Sequence, residues 1–242
     1  MQTVYGLHAV RAALLRHPER VGIVRIAEGR DDVRMREIDQ LARKNGRRVE
    51  RVAPGKLKQI AGEVAHQGVL ADVEPMRPWT EDDLLEATAG AASPLLLVLD
   101  GVQDPHNLGA CLRTADACGA LAVVVPRDRA AQLNPTARKV AAGAAETTPV
   151  VAVTNLVRML KLLKDANVWS VGADASAEQP ASAADLKGGV ALVLGAEGAG
   201  LRQLTRQNCD FLVSLPQLGA VESLNVSVAA GMLLYEAVRQ RN

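Results

Sequence analysis

Three short stretches concentrate the residues whose types and spacing could do chemistry. In LDGVQDPHNLGACLRTADACGA, residues 99–120, an apolar run leads into a helical pattern, with Asn107 and Gly109 near the turn and Arg113 in the first turns of the helix. A helix N-terminus presents unpaired N–H groups, and an arginine beside it makes a place for an anion such as a phosphate. A capped helix carrying one surface arginine fits the same residues. In LVLGAEGAGL, residues 192–201, an apolar run ends in Gly195, Gly198 and Gly200, which let the backbone approach a flat ligand closely. Glu197 in their midst suits a positively charged ligand better than a phosphate, although a tight turn without any ligand fits as well. In SLPQLGAVESLNVSVAAGMLLYEAVRQR, residues 214–241, Ser223, Leu224, Asn225 and Ser227 stand just ahead of an apolar helix. One N-cap accounts for Ser223 or for Asn225, but not for all the polar groups together.

The elements around these stretches alternate. Leu95 to Leu99, Leu121 to Val125, Val150 to Val153, Val168 to Val171, Val190 to Leu194 and Phe211 to Leu215 are short apolar runs, with helical patterns between several of them. A long helix from about Ser223 to Arg239 closes the chain. Such alternation predicts an α/β fold with a mainly parallel sheet, in which ligands bind beyond the carboxyl ends of the strands. All three stretches lie just after strands. The glycine spacing is G-x-x-G-x-G rather than the dinucleotide-binding G-x-G-x-x-G, and it comes late in the domain, which argues against a nicotinamide-dependent oxidoreductase.

Residues 1–74 read as a separate small α/β unit. Leu7, Val10 and Leu14 have helical spacing, and Val21 to Ile26, Val49 to Val52 and Val69 to Val73 are β-rich runs. A second helix follows Asp31 and Asp32 and stops at Asn45-Gly46. Pro75, Pro78 and Pro94 frame an acidic stretch, so residues 75–94 are expected to be a linker containing at most a short helix, and residues 95–242 the second domain.

Apolar residues make up 48% of the 242, enough for a substantial core, and aromatics only 2%. Bulk supplied by Ala, Val and Leu suits helices on buried parallel strands better than a β-sandwich. The net charge of +1 hides an asymmetry: residues 1–80 hold 15 Lys and Arg against 10 Asp and Glu, the remainder 13 against 17. The positive first part points to an anionic partner or to ordinary solvated helix faces. Cys111, Cys118 and Cys209 form no Cys-x-x-Cys pair, so no metal is expected. The first residues, MQTVYGLHAVRAALL, carry no secretory apolar core, and no apolar run approaches the ~18 residues of a membrane span. A soluble cytoplasmic protein is expected, with neither membrane nor DNA as partner.

NLGACLRTAD, LVLGAEGAGL and ESLNVSVAAG, in that order, resemble the motifs of the SpoU-type 2′-O-ribose methyltransferases of the SPOUT class. YGLHAV, AHQGVLA at 65–71 and NPTARKVAAGAAE at 134–146 extend the resemblance over nearly the whole chain, toward the bacterial 23S ribosomal RNA guanosine enzymes of that family. The resemblance implies a ribosomal-protein-like RNA-binding domain, a SPOUT catalytic domain with a C-terminal trefoil knot, and a homodimer with the active site near the subunit interface. It also implies transfer of a methyl group from S-adenosylmethionine to the ribose 2′-hydroxyl of a guanosine in the peptidyl-transferase region of 23S rRNA.

By motif position, Gly195, Leu215 and Leu224 would hold the cofactor, completed by Leu194, Gly200 and Leu201. Asn107, Arg113, Glu197, Ser223 and Asn225 would form the reactive cluster. A free guanidinium, with a pKa above ~12, is a poor base, so Arg113 is expected to grip the target phosphate. Asn225 and Ser223 would orient the ribose, and Glu197 would hold that network or the arginine. His106 is assigned a loop role, His8, His17 and His66 structural ones, and Arg138 and Lys139 contacts to RNA. The rival readings are a methyltransferase acting on tRNA or on an adenosine, and an rRNA-binding assembly factor without activity.

Overall fold

The computed structural model describes residues 1–62, 64–220 and 223–242. The chain divides into two compact units, residues 1–77 with 142–147 and residues 78–141 with 148–242.

The first unit runs β1 (Gln2–Tyr5), α1 (Leu7–Arg16), β2 (Val21–Ala27), α2 (Val33–Lys44), β3 (Arg48–Val52), α3 (Pro54–Ala61) and β4 (Val69–Val73). Its sheet has the order β1-β4-β2-β3, with β2 and β3 parallel and the other pairs antiparallel. Val10 and Leu14 of α1 and Met35 and Ile38 of α2 are buried in one core with Val24, Ile26 and Ala71 of the strands. Leu57 and Ala61 of α3 form a second core with Ala27, Val52 and Leu70. The second helix is capped by Asp32, whose carboxylate accepts from the Met35 N–H at 3.3 Å, and it stops at Asn45 and Gly46, the latter at φ +67. β1 and α3 lie outside the elements expected from sequence. Four residues are too few for a strand pattern to declare itself, and the Pro-Gly that opens α3 reads as a turn.

The second unit runs α4 (Glu81–Ala89), β5 (Leu95–Asp100), α5 (Pro105–Ala117), β6 (Ala122–Pro126), α6 (Pro135–Val140), β7 (Val150–Val153), α7 (Leu156–Asp165), β8 (Val168–Ala173), β9 (Gly189–Gly195), α8 (Gln203–Asn208), β10 (Phe211–Val213) and α9 (Val226–Arg241). Its six strands, in the order β10-β8-β9-β5-β6-β7, are all parallel. β5 is buried throughout, which explains its unbroken LLLVLD in place of alternation. Leu84 of α4 and Met159, Leu160 and Leu163 of α7 share a core with Leu96, Val98, Val124 and Val193. α9 packs on β9 and on α5. Thus the acidic stretch after Pro78 is a helix seated on this unit: Thr80 and Asp83 cap it reciprocally, and Glu81 accepts from the Thr154 N–H at 2.9 Å. The strand order changes direction around β5, so the carboxyl ends of β5, β9 and β8 border the crevice where sheets of this kind bind ligands.

Candidate active site

The three motifs meet at those carboxyl ends. β9 closes with Gly195, paired in register with Asp100 at the end of β5. The chain then doubles back at once: Ala196 and Gly200 form a bridge in which the Gly200 N–H donates to the Ala196 carbonyl at 2.9 Å. A Cβ on Gly195 would lie 1.9 Å from the Gly200 carbonyl carbon, so no side chain fits there. Gly198 and Gly200 have φ of +75 and +66, backbone that L side chains rarely adopt. The spacing of the glycines is thus that of a loop folded upon itself, with Glu197 at its exposed tip.

Asn107 enters from the first turn of α5. Asp104 caps that helix by accepting from the His106 N–H at 2.8 Å, and Pro105 occupies its first position. Asn225 enters as the N-cap of α9, its Oδ1 accepting from the Ser227 N–H at 2.9 Å and from the Ser227 hydroxyl at 2.6 Å. The buried Asn107 donates through Nδ2 to Glu197 Oε1 at 3.1 Å. Asn225 donates through Nδ2 to Asn107 Oδ1 at 3.0 Å and also to Glu197 Oε1. A carboxylate only accepts, so it turns both amide nitrogens inward and fixes both rotamers. Glu197 Oε2 has no hydrogen-bond partner among the described residues.

Beside this triangle lies a cleft of about 220 Å³. Leu194, Gly195, Gly200, Leu215 and Leu224 line it together with Glu197 and Ser223. Leu201 does not: it packs toward the core, its Cδ1 lying 2.9 Å from where a Cβ on Gly172 would be. Arg113 joins neither triangle nor cleft. It is exposed on α5, six residues beyond Asn107, and has no ion pair or hydrogen bond among the described residues. Glu222, which opens the third motif, and Val221 lie outside the described residues.

Asp174, absent from the sequence-based set, also lines the cleft, as do Gln217 and Val226. Its Oδ1 accepts from the Ser176 N–H at 2.8 Å and hydroxyl at 2.6 Å, and Arg206 pairs with the other oxygen. The Ser176 hydroxyl and then Arg206 hold its carboxyl below the usual carboxylate range. Its signal in the sequence is its position, just beyond the carboxyl end of a buried strand. Among the described residues the lining therefore contains two carboxylates and no Lys, Arg or His.

One turn beyond Asn107 on α5, Cys111 is buried; burial first, and then the Glu197 charge, push its thiol up to about 12, which removes it as a nucleophile. His106 is exposed, and His66 accepts from the Gly68 N–H at 3.1 Å within its own loop. Among the described residues no His, Cys, Asp and Glu side chains gather in threes to hold a metal ion, and no helix is long and apolar enough to cross a membrane.

Comparison with known proteins matches residues 94–235 to the SpoU rRNA Methylase family and residues 3–79 to an RNA 2′-O ribose methyltransferase substrate binding domain. A protein of Pseudomonas syringae pv. tomato named 23S rRNA (guanosine-2′-O-)-methyltransferase RlmB is 51% identical, over 100% of this chain and 97% of its own length. The protein of that name from Escherichia coli K12 is 48% identical, over 100% of this chain and 99% of its own. Among solved structures, the SpoU methyltransferase AviRb from Streptomyces viridochromogenes in complex with AdoMet is 27% identical, covers 99% of this chain and 89% of its own, and superimposes with a TM-score of 0.73. The A. aeolicus TrmH/SpoU tRNA modifying enzyme matches 66% of this chain and 82% of its own at 30% identity, with a TM-score of 0.57. With its motifs assembled around one cleft and a family match across the sheet that builds it, the chain belongs to the SpoU rRNA methylase family.

Proposed function

We propose that this protein transfers a methyl group from S-adenosylmethionine to the ribose 2′-hydroxyl of a guanosine in 23S rRNA, in the peptidyl-transferase region. The observation that carries the reading is the Asn107–Glu197–Asn225 triangle on the rim of a cleft walled by glycine backbone and leucines. That cleft fits the donor: Glu197 supplies negative charge for a cationic ligand, Asp174 being paired with Arg206, and Gly195 and Gly200 leave room at the backbone. Bound there, S-adenosylmethionine supplies a methyl made electrophilic by its sulfonium. Gly195, Leu215 and Leu224 hold it, with Leu194 and Gly200 completing the wall.

The protein's own work is to present the 2′-oxygen in line and keep water away. Asn225 and Ser223 orient the ribose, and Glu197 locks the two amides of Asn107 and Asn225. Arg113 grips the target phosphate, lowering the cost of a developing alkoxide; its exposed guanidinium, without a partner among the described residues, is available for that contact. Residues 1–74 supply RNA affinity, a role favoured by the excess of cations in the first part of the chain. Residues 75–94 join them to the catalytic residues 95–242. The protein works as a homodimer in the cytoplasm, and its C-terminal segment forms the trefoil knot of its family. For the dimer, the supporting feature is an exposed stripe on α9, Val228, Met232 and Tyr235.

The test is transfer of labelled methyl to unmethylated 23S rRNA, mapped by nuclease-resistant 2′-O-methyl linkages, with Asn225→Ala as control. Label at one guanosine, lost in the variant, is the expected result. Transfer to tRNA alone, or to an adenosine, keeps the chemistry and overturns the substrate. Donor binding without transfer to any RNA overturns the enzyme in favour of an assembly factor.

A further inference from the structure

One buried carboxylate in the second unit has no part in the reading above. Asp100 closes β5, and its side chain is 0% exposed. A carboxylate taken out of water costs several kcal/mol unless it is fully hydrogen-bonded, so its partners matter. Both of its oxygens go to a single residue. Oδ2 accepts from the Arg202 backbone N–H at 2.9 Å, and Oδ1 accepts from Arg202 Nε at 2.6 Å and pairs with its Nη2. Arg202 itself is half exposed, at the foot of α8, 102 residues away in sequence.

The placement of this pair gives it consequences for the site. Asp100 is also the register partner of Gly195, so its backbone holds the start of the Gly195–Arg202 loop and its side chain holds the end. Between those anchors, Glu197, Gly198, Ala199 and Gly200 are all exposed, and it is Leu201, beside the Arg202 anchor, that packs toward the core. The same residue roots the other side of the triangle: the chain leaves Asp100 through Gly101, at φ +82, and reaches the Asp104 cap and Asn107 within seven residues. Asn107 and Glu197 therefore both lead back to one residue, Asp100.

We infer that Asp100, acting through Arg202, is a positioning residue for methyl transfer: it clamps both ends of the glycine loop, sets Glu197 against Asn107 and Asn225, and so fixes the methyl-donor cleft. The inference rests on the proposed function and goes beyond it, because neither residue lines the cleft nor touches the triangle.

The test uses the full-length protein with Asp100→Asn, Arg202→Gln, Arg202→Lys and the Asp100→Asn/Arg202→Gln double variant. S-adenosylmethionine affinity is measured by titration calorimetry, steady-state constants for donor and RNA separately, and thermal unfolding alongside. Asp100→Asn is expected to weaken donor binding about tenfold or more and to lower kcat, while the KM for RNA stays within about twofold. Arg202→Lys, which keeps the charge but not the fork, falls between wild type and Arg202→Gln. The double variant is no worse than the worse single one, as expected for two ends of one interaction. Folded Asp100→Asn and Arg202→Gln variants with wild-type donor affinity and kcat would overturn the inference. So would a loss of thermal stability that weakens RNA and donor alike, which is the signature of mere scaffolding. Wild-type protein that binds no S-adenosylmethionine removes the proposed function and this inference with it, whereas wild-type binding unmoved by the variants removes this inference alone.

Discussion

Asn225 does two jobs with opposite ends of one amide. Its oxygen caps α9, and its nitrogen joins Asn107 and Glu197. Serine is as good an N-cap as asparagine but has no N–H₂ to offer the triangle. Asn225→Ser should therefore leave the thermal midpoint within a few degrees and reduce methyl transfer about 100-fold or more, the cost of losing a preorganised donor in an active site. Equal falls in stability and activity would make the residue a cap and nothing else. Cys111, one turn beyond Asn107 on α5, tests the site's polarity. Its thiol is raised to about 12 from an ordinary 9.0 by burial and by the Glu197 charge, so the folded state disfavours the thiolate. The sign follows: the unfolded chain loses this proton first, so the contribution to stability is intact below pH ~9 and is lost as pH rises from there toward 12. Native protein at pH 8 should leave Cys111 unalkylated by iodoacetamide after unfolded protein has reacted fully, as read by peptide mass spectrometry.

At the scale of the element, the glycine loop is the part least able to accept change. A Cβ on Gly195 would meet the Gly200 carbonyl carbon at 1.9 Å and its oxygen at 2.0 Å, and both are backbone atoms with nowhere to retreat. Gly195→Ala is expected to keep the circular dichroism of the folded protein and to abolish donor binding in calorimetry, because β9 ends there and the sheet survives while the turn opens. Wild-type affinity in that variant would show that the loop does not build the cleft. This loop was legible because glycine spacing and an acid at its tip are written in consecutive residues. The parallel strands were legible for a similar reason: buried on both faces, they are unbroken apolar runs such as LLLVL. What depends on tertiary context was not. Three polar candidates stood ahead of the last helix, and only the packed chain selects Asn225 as the cap, starting α9 at Val226 rather than Ser223. Leu201 belongs to the loop by sequence but packs toward Gly172, since a doubled-back segment does not alternate as a strand does. Asp174 came from a different strand end altogether, and nothing local ties it to the motifs.

For the molecule as a whole, the residue that the motifs group with the site and the fold leaves outside it is the most informative. Arg113 is exposed on α5, the helix that α9 packs against, and it meets neither Asn107 nor Glu197. On α9, Val228, Met232 and Tyr235 are 51%, 43% and 67% exposed at steps of four and three residues, a single helix face left apolar. Two copies joined over such a face would cover the stripe, and a two-fold interface presents to each copy the same surface it offers. Tyr235→Asp in that face should yield monomers by analytical ultracentrifugation with donor affinity retained, and a dimer that persists would place the interface elsewhere. Such a pairing would also decide whose Arg113 serves which cleft. Arg113→Ala keeps the triangle, and Asn225→Ala keeps the arginine, so neither chain alone should transfer methyl. Refolded together in equal amounts, half of the dimers are mixed and carry one site in which an intact triangle faces a partner's intact Arg113. Methyl transfer should then recover to about a quarter of the wild-type rate if the arginine acts across the interface. If it acts within its own chain, every site in the mixture lacks one of the two groups, and the rate stays at that of the separate variants.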